Sequence, residues 1–324
     1  MTDTVDPMPR RRAWLPAALA LALVAAAAWS ACSGVVKLSP AELLHSDIFL
    51  NLRLPRIVAA MLVGAALAAS GAAYQSVFRN PLTDPYVLGV SSGASLGAAV
   101  AIVLGLEHSV WGIGAMALVA ALATVWLIYR VASSARGLNT PTLLLTGVCL
   151  TLLLGAVVTF LMVLHQDKME RIVFWTMGSF ASASWLDVAL LAPATVAGSV
   201  AVLFSARDLN LLLAGADTAK SLGVEVERVQ RRLLLFTTLM VAVAVSTCGV
   251  IGFVGLIVPH AVRLVAGPDN RRLVPSSLLA GALFMLLCDT GARTLLQPAE
   301  LPVGSLTAIV GAPLFIYLLY RNRR

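Results

Sequence analysis

Long apolar stretches, separated by short polar ones, follow one another along almost the whole chain. A helix needs about 20 apolar residues to cross about 30 Å of hydrocarbon, and most of these stretches have that length. The nine stretches are Ala13–Ser33, Leu54–Val77, Val87–Leu106, Trp111–Val131, Pro141–Leu164, Leu186–Ala206, Leu233–Val265, Pro275–Leu296 and Leu306–Tyr320. This pattern predicts an all-α, polytopic membrane protein.

The stretch Leu233–Val265 is too long for a single crossing, with 33 residues. It also contains Gly249, Gly252, Gly255 and Pro259, and glycine and proline are the residues that turn or break a helix. We therefore expect one full helix followed by a short one. That division brings the predicted number of transmembrane helices to ten.

The positions of lysine and arginine support ten crossings with both termini in the cytoplasm. Cytoplasmic segments carry an excess of these residues, and arginines stand near both ends of the chain, at Arg10–Arg12 and at Arg321, Arg323 and Arg324. Ten helices place 17 of the 23 basic residues inside and 6 outside. We expect the first apolar stretch to be a retained helix rather than a cleaved signal peptide.

Composition narrows the class of protein further. Of the 324 residues, 59% are hydrophobic and only 12% are charged, about half the usual charged share of a soluble domain (about 25%). This excludes an ordinary cytoplasmic enzyme and a nucleic-acid-binding domain. The four cysteines all lie within apolar stretches and form no closely spaced pair, so we expect small buried side chains and neither a disulfide framework nor a zinc site.

The sequence indicates no catalytic machinery and no cofactor. It contains no GxxxxGK[ST], HExxH or GxSxG motif, and its four histidines are scattered. We therefore expect any ATP hydrolysis to occur on a separate subunit. Asp289 is the one acid deep in an apolar stretch and lies four residues before Arg293. We expect an intramembrane ion pair between them, with a proton relay through Asp289 as the alternative.

Three polar features are candidates for partner contacts. Asp208–Gln230 predicts two short helices against the membrane with one face available to a soluble partner, although a simple surface loop has the same composition. Asn80–Tyr86 contains two prolines and predicts a turn, which serves as either a connector or a gate. Arg53, Arg56 and Arg293 fall at the outside, where they either reach lipid phosphates or bind carboxylates of an extracytoplasmic partner.

Four segments carry a resemblance to a known family. They are RLPRIVAAMLVGAALAASGAAYQSVFRNPLTDPYVLGVSSGASLG from Arg53, LLAGADTAKSLGV from Leu212, GVIGFVGLIVPHAVRL from Gly249 and AELPVGSLTAIVGAPLFIYLL from Ala299. In this order they resemble the FecCD-like permeases of bacterial ABC importers, type II importers similar to the vitamin B12 permease. The resemblance covers the chain from about residue 40 to its end.

The resemblance implies an architecture and a set of partners. It implies one transmembrane permease domain over residues 1–324, with ten helices per subunit and a cytoplasmic coupling segment at 208–230. It also implies a homodimer in the bacterial inner membrane with the translocation path at the subunit interface. The further partners are two cytoplasmic ATP-binding subunits and a periplasmic substrate-binding protein.

The resemblance also assigns roles to individual residues. It implies docking of the binding protein at Arg53, Arg56 and Arg293. It implies coupling to the ATPase at Leu212, Gly215, Ala219, Leu222 and Gly223. It implies cytoplasmic gates at Asn80, Leu82, Thr140 and Pro141. Two gate details depart from the family pattern, because Thr83 stands where alanine is commoner and Pro141 stands where a small polar residue is frequent.

The residues do not discriminate between the possible cargoes. The resemblance places a ferric siderophore first, with haem and cobalamin as alternatives. Two alternative hypotheses come from other functional classes. One is a proton-coupled secondary transporter that uses Asp289, and the other is an intramembrane enzyme.

Overall fold

The computed structural model describes residues 14–34, 46–106, 109, 112–134 and 137–321, and within them the chain forms thirteen α-helices. The helices are α1 Leu15–Cys32, α2 Leu54–Val77, α3 Val90–Val103, α4 Gly112–Ala132, α5 Thr140–Leu164, α6 Met169–Thr176, α7 Trp185–Phe204, α8 Ala206–Leu213, α9 Ala216–Ser221, α10 Val226–Cys248, α11 Val254–Ala266, α12 Asn270–Thr294 and α13 Val303–Arg321. Single helical turns are Phe49–Arg53, Pro85–Leu88 and Gln166–Lys168, and a two-residue strand pair, β1 Ser133–Ser134 and β2 Gly137–Leu138, joins α4 to α5.

Seven of the described helices are long and apolar enough to cross a membrane: α1, α2 with its preceding turn, α4, α5, α7, α10 and α12. Three further apolar helices, α3, α11 and α13, are shorter. The predicted helical membrane architecture is therefore present, and ten crossings with both termini inside stay a prediction. The arginines at Arg10–Arg12, Arg323 and Arg324, on which the topology depends, lie outside the described residues.

The predicted division of the stretch Leu233–Val265 is confirmed. Helix α10 ends at Cys248 and α11 begins at Val254. Gly249 follows α10 with a φ of 74°, and a Cβ at this position would overlap the carbonyl oxygen of Trp175. Both observations require glycine at the break, which explains why the chain turns there rather than continuing as one long helix.

Helix α2 lies at the centre of the bundle and packs against α7, α10, α11 and α12. Its close neighbours depend on small residues, as the sequence pattern indicates. A Cβ on Gly64 would overlap the carbonyl oxygen of Gly281 on α12, and a Cβ on Gly71 would overlap that of Gly255 on α11. Such close approach of backbones is how helices pack in lipid, where apolar burial gives little drive to associate.

Helix α5 has the opposite character. Only 11% of its most apolar window is buried, compared with 78% for α2. Large apolar side chains such as Leu145, Leu152 and Phe160 are exposed along it. An exposed apolar face of this length must be covered by lipid or by another protein.

Candidate functional sites at the two ends of the bundle

Arg56 lies at the centre of a buried charged cluster where α2 begins and α12 ends. Its guanidinium donates to both carboxylate oxygens of Asp289, with Nη2–Oδ1 at 2.9 Å and Nε–Oδ2 at 3.1 Å. Its Nη1 also donates to Glu300 Oε2 at 3.0 Å. Asp289 is fully buried, and a bidentate arginine is the geometry that best compensates a buried carboxylate.

Arg293 is the second cation near Asp289. The predicted intrahelical pair is present, but Arg56 lies closer to Asp289. The Nε–Oδ2 distance is 3.8 Å, so this contact is longer than those of Arg56. Sequence spacing pointed to Arg293 because it is four residues away on the same helix. Arg56 lies 233 positions away, and no local pattern identifies a partner at that separation; Glu300 was missed for the same reason.

The end of α1 is held by the other two arginines. Arg53 Nη1 donates to the carbonyl oxygen of Ala31 at 2.8 Å. Arg293 Nη2 donates to the carbonyl oxygen of Ser30 at 2.6 Å, and its Nη1 donates to that of Ser33 at 3.1 Å. The last carbonyls of a helix have no partner within it, so these arginines satisfy them and fasten α1 to α2 and α12.

The three predicted docking arginines come together around one cavity of about 290 Å³. Arg53, Arg56 and Arg293 are 7%, 9% and 6% exposed, and Glu300 lines the same cavity. We call Arg53, Arg56, Arg293, Asp289 and Glu300 the arginine–carboxylate network. Three guanidinium groups line this cavity, and guanidinium groups bind carboxylates in bidentate geometry.

The opposite end of the bundle carries most of the remaining arginines, and we call it the basic end. Arg79, Arg130 and Arg207 lie at or just beyond the C-termini of α2, α4 and α7. The segment 206–225 joins α7 to α10 there and forms α8 and α9. The prediction of two short helices in this segment is confirmed.

The five predicted coupling residues comprise two glycines and three apolar residues, and the apolar residues divide into a buried and an exposed group. Leu212 and Ala219 are buried and pack in one cluster with Val77 and Val274 of α2 and α12. Leu222 is 61% exposed. The two glycines have positive φ, 126° at Gly215 and 83° at Gly223, and they allow the chain to turn before and after α9.

The exposed face of α9 includes polar residues that sequence reasoning missed. Asp217, Thr218, Lys220 and Ser221 are all exposed. Lys220 Nζ pairs with Glu227 at 2.8 Å, and this hydrogen bond raises the pKa of Lys220. In the sequence, these polar side chains are equally typical of a partner-binding surface and of an ordinary surface loop, so they did not distinguish the two.

The predicted gate residues lie in two turns. Asn80 Oδ1 accepts a hydrogen bond from the backbone N–H of Leu82 at 2.9 Å, which closes a tight turn and leaves Leu82 exposed. Thr140 and Pro141 form the first turn of α5, where Asn139 caps the helix by accepting from Thr142 N at 3.0 Å. No hydrogen bond joins the two pairs within the described residues.

The loop after the Asn80 turn does contact α5. The helical turn at Pro85–Leu88 packs on α5, and a Cβ on Gly147 would overlap the carbonyl oxygen of Val87. Asp84 begins this turn by accepting from Tyr86 N at 2.8 Å. Burial raises the pKa of Asp84 to about 6, because desolvation disfavours the carboxylate form.

These features define a class before any relative is considered. A bundle with seven membrane-length helices carries a buried charged cavity at one end and two short interfacial helices at the other. Within the described residues no group of three or more His, Cys, Asp or Glu side chains forms a metal site. The arrangement is that of a polytopic helical membrane protein.

The chain belongs to the FecCD transport family, whose model matches residues 15–321. It is therefore the permease type of subunit in an ABC importer. The chain is 48% identical to the cobalamin import system permease protein BtuC of Halobacterium salinarum, over 83% of this chain and 72% of that one. It is 39% identical to the hemin transport system permease protein HmuU of Yersinia pestis, over 94% and 95%.

A solved structure agrees with the fold. A metal-chelate type ABC transporter in an inward-facing conformation superimposes with a TM-score of 0.86 and 35% identity, covering 95% of this chain and 99% of that one.

Proposed function

We propose that the chain forms the translocation path of an ABC importer that carries a metal chelate across the inner membrane by alternating access. The family match over residues 15–321 carries this proposal. One permease domain then spans residues 1–324, with ten crossings and both termini in the cytoplasm. The seven long and three shorter apolar helices supply the ten.

The cargo we propose is a metal chelate of the size of cobalamin, haem or a ferric siderophore. The two relatives described above are named for cobalamin and hemin, so these tetrapyrrole-type chelates stand beside the siderophore that the sequence resemblance placed first. All three are large, and a path for them should be wide and bind weakly, so that the cargo is released. Specificity then belongs mainly to the binding protein.

Helix α5 is our candidate for the path and for the dimer contact. It is the least buried of the long helices, and threonines interrupt its apolar surface at Thr142, Thr146, Thr151 and Thr159. A second permease subunit would cover this face, and the hydroxyls would line a path of low affinity. The turns with Asn80, Leu82, Thr140 and Pro141 would then be the cytoplasmic gates.

The basic end is our candidate for the contact with the ATP-binding subunits. Leu212 and Ala219 anchor the coupling segment to the bundle, while Leu222 and the polar face of α9 remain exposed. A rigidly anchored element with a free face transmits motion from a partner to the helices on which it rests. Gly215 and Gly223 set the direction of α9.

The arginine–carboxylate network is our candidate for docking the binding protein. Its three arginines line one cavity, and a guanidinium group is the side chain that binds a carboxylate in bidentate geometry. Glu300 Oε2 already lies 3.0 Å from Arg56 Nη1, and the side chain of Glu300 is 39% exposed. A glutamate from the binding protein would replace or join Glu300 at this position.

The proton-coupled reading has less support from the geometry. A relay group needs access to water or to another titratable site. Asp289 is fully buried, and Arg56 binds both of its carboxylate oxygens. This geometry favours a structural role for Asp289.

The test is uptake by proteoliposomes that contain the permease, its ATP-binding subunits and its binding protein. Radiolabelled cobalamin, haem and ferric siderophore are offered separately, with and without ATP. We expect ATP-dependent uptake of one chelate, and loss of that uptake in Arg56→Glu. Uptake driven by a pH gradient without ATP would contradict the proposal.

A matched control separates docking from folding. Arg171→Glu makes the same change of charge at an exposed position of α6, outside both the network and the basic end. We expect the control to retain uptake. Arg56→Glu also removes the partner of the buried Asp289 and should lower stability, so loss of uptake is assigned to docking only if Arg53→Gln, which keeps the Arg56–Asp289 pair, also loses uptake. Arg53→Gln provides a milder change within the network.

A further inference from the structure

A second cavity lies on the outer surface of the bundle, among α4, α5 and α10. Its volume is about 460 Å³, within the range of about 300–1,000 Å³ that ligand pockets occupy. Its apolar lining includes Leu122, Val125, Leu143, Leu235 and Leu239. None of these residues belongs to the arginine–carboxylate network or the coupling segment, so this site is separate from both.

One charged residue lines this apolar cavity, and it is an arginine, Arg231 of α10. Glu227, four residues earlier on the same helix, interacts electrostatically with Arg231 but forms its salt bridge with Lys220, at 2.8 Å. Arg228 pairs with Glu225 at 2.9 Å, and Arg232 pairs with Asp208 at 3.7 Å. Arg231 lies between them on α10, is exposed and makes no hydrogen bond or ion pair with another described residue.

A second cation stands at the same end of the cavity. Trp126 lines the cavity, and the guanidinium of Arg130 lies over its ring at 5.5 Å from the centroid. Tyr129 also contributes to the lining. Tryptophan and tyrosine are enriched at the level of lipid headgroups, so the arginine end of this cavity has the composition of a membrane interface.

The geometry points to a binding site for an anionic phospholipid, with acyl chains among α4, α5 and α10 and the headgroup phosphate on Arg231. Apolar lining with cations at one end matches an amphiphile with a negative head. Basic pockets between helices on the cytoplasmic side bind such lipids in general. This inference goes beyond the transport role and does not depend on the identity of the cargo.

A second copy of the chain fits this surface less well. A two-fold contact brings the same surface of both copies together. A contact centred on this cavity would bring Arg231 and Arg130 of both copies into one interface, and like charges repel. The charge pattern therefore favours a lipid over a dimer contact at this cavity.

The site has a consequence for α5. Leu143 belongs to the first turns of α5 and is one of the residues that line the cavity. A bound lipid would therefore contact the part of α5 that also carries Thr140 and Pro141. We expect occupancy to stabilise the folded chain, since a ligand that binds the native state raises its stability.

The test uses native mass spectrometry of the detergent-solubilised full chain, with phosphatidylglycerol or phosphatidylcholine added. We expect phosphatidylglycerol to be retained more strongly. Arg231→Gln should weaken its binding about fivefold, which corresponds to about 1 kcal/mol for one arginine near a lipid surface. Arg228→Gln removes the same charge from the same helix outside the cavity and should leave binding unchanged.

A second variant tests the apolar part of the site. Leu239→Trp fills the cavity without a change of charge, and it should reduce retention of both lipids. A rise in melting temperature on addition of phosphatidylglycerol should be present in the parent chain and smaller in Arg231→Gln. Four results would overturn the proposal: equal retention of the two lipids, equal effects of Arg228→Gln and Arg231→Gln, full retention in Leu239→Trp, or dimers without lipid beside monomers that carry it.

Discussion

The two ends of the bundle differ in how their charged residues are satisfied. At the arginine–carboxylate network, Arg53, Arg56 and Arg293 are almost fully buried and bonded within the chain. At the basic end, the face of α9 with Lys220 and the side chain of Leu222 is exposed. Under the proposed roles, a partner at the network would have to replace existing contacts, whereas a partner at the basic end would meet side chains that are already exposed.

The two ends also contain carboxylates in opposite situations. Asp289 is held by both Arg56 and Arg293. Asp84, in the loop between α2 and α3, accepts one backbone hydrogen bond, and burial raises its pKa to about 6. The comparison shows that burial of an acid stabilises or destabilises the chain according to the charge beside it.

The largest effect should come from removing the carboxylate of the network. Asp289→Asn leaves two arginines buried without their anion, and loss of one partner of a buried pair costs about 3–5 kcal/mol. We expect this loss in the free energy of unfolding, measured by denaturation of the full chain in detergent. Glu225→Gln, at an exposed ion pair, is the matched control and should change little. Equal stability of the two variants would contradict the claim that the buried carboxylate of the network contributes more to folding than an exposed one.

The next effect distinguishes the two groups of coupling residues. Leu212 is 2% exposed and Leu222 is 61% exposed. Leu212→Ala should therefore destabilise the chain by about 2–4 kcal/mol, whereas Leu222→Ala should stay within about 0.5 kcal/mol of the parent. The same unfolding measurement checks both, because the chemical change is identical. A larger effect of Leu222→Ala than of Leu212→Ala would contradict the conclusion that the side chain of Leu222 is exposed.

Asp84→Asn should act in the opposite direction from Asp289→Asn. The raised pKa means that the carboxylate form disfavours folding, so the parent chain should lose stability as pH rises from about 4 to about 6. The total is about 3 kcal/mol for a displacement of roughly two pH units. Asparagine keeps the acceptor for Tyr86 N and should remove this dependence.

The pH profile of unfolding between pH 4 and pH 7.5 measures this effect. We expect a flatter profile and higher stability at pH 7 in Asp84→Asn, after the other titrating groups are subtracted by comparison with the parent. Identical profiles would mean that Asp84 is solvated in the folded chain.

A smaller effect should come from Glu300, whose side chain is partly exposed. A double-mutant cycle with Arg56→Gln and Glu300→Gln should give a coupling energy of about 1 kcal/mol, reduced by solvent screening. If Glu300 competes with the binding protein for Arg56, Glu300→Gln should tighten binding of that protein severalfold. Weaker binding in Glu300→Gln would show that Glu300 assists docking instead.

The sequence predicted features that depend on local chemistry. The length of Leu233–Val265 and its glycines were sufficient to predict the break between α10 and α11. In the structure, only a glycine fits at position 249, beside the carbonyl oxygen of Trp175. Apolar residues at roughly helical spacing, interrupted by Gly215 and Gly223, likewise indicated the short helices α8 and α9. In each case the signal lay within a few residues of the structural feature.

The sequence missed contacts that join distant parts of the chain. The partner of Asp289 was predicted from helical spacing as Arg293, and the closer partner is Arg56 on another helix. The cavity beside Arg231 depends on the packing of three helices, which no spacing rule supplies. Burial also could not be assigned within the coupling segment, since Leu212 and Leu222 are the same residue type.

The most direct test of the account is ATP hydrolysis by the assembled importer, with and without its binding protein. Leu222→Asp should lower hydrolysis in both conditions, because the ATPase contact at the basic end is lost. Arg53→Gln should lower only the increase that the binding protein causes, because docking occurs at the opposite end. Normal hydrolysis in Leu222→Asp, or an unchanged increase in Arg53→Gln, would contradict the assignment of the two ends.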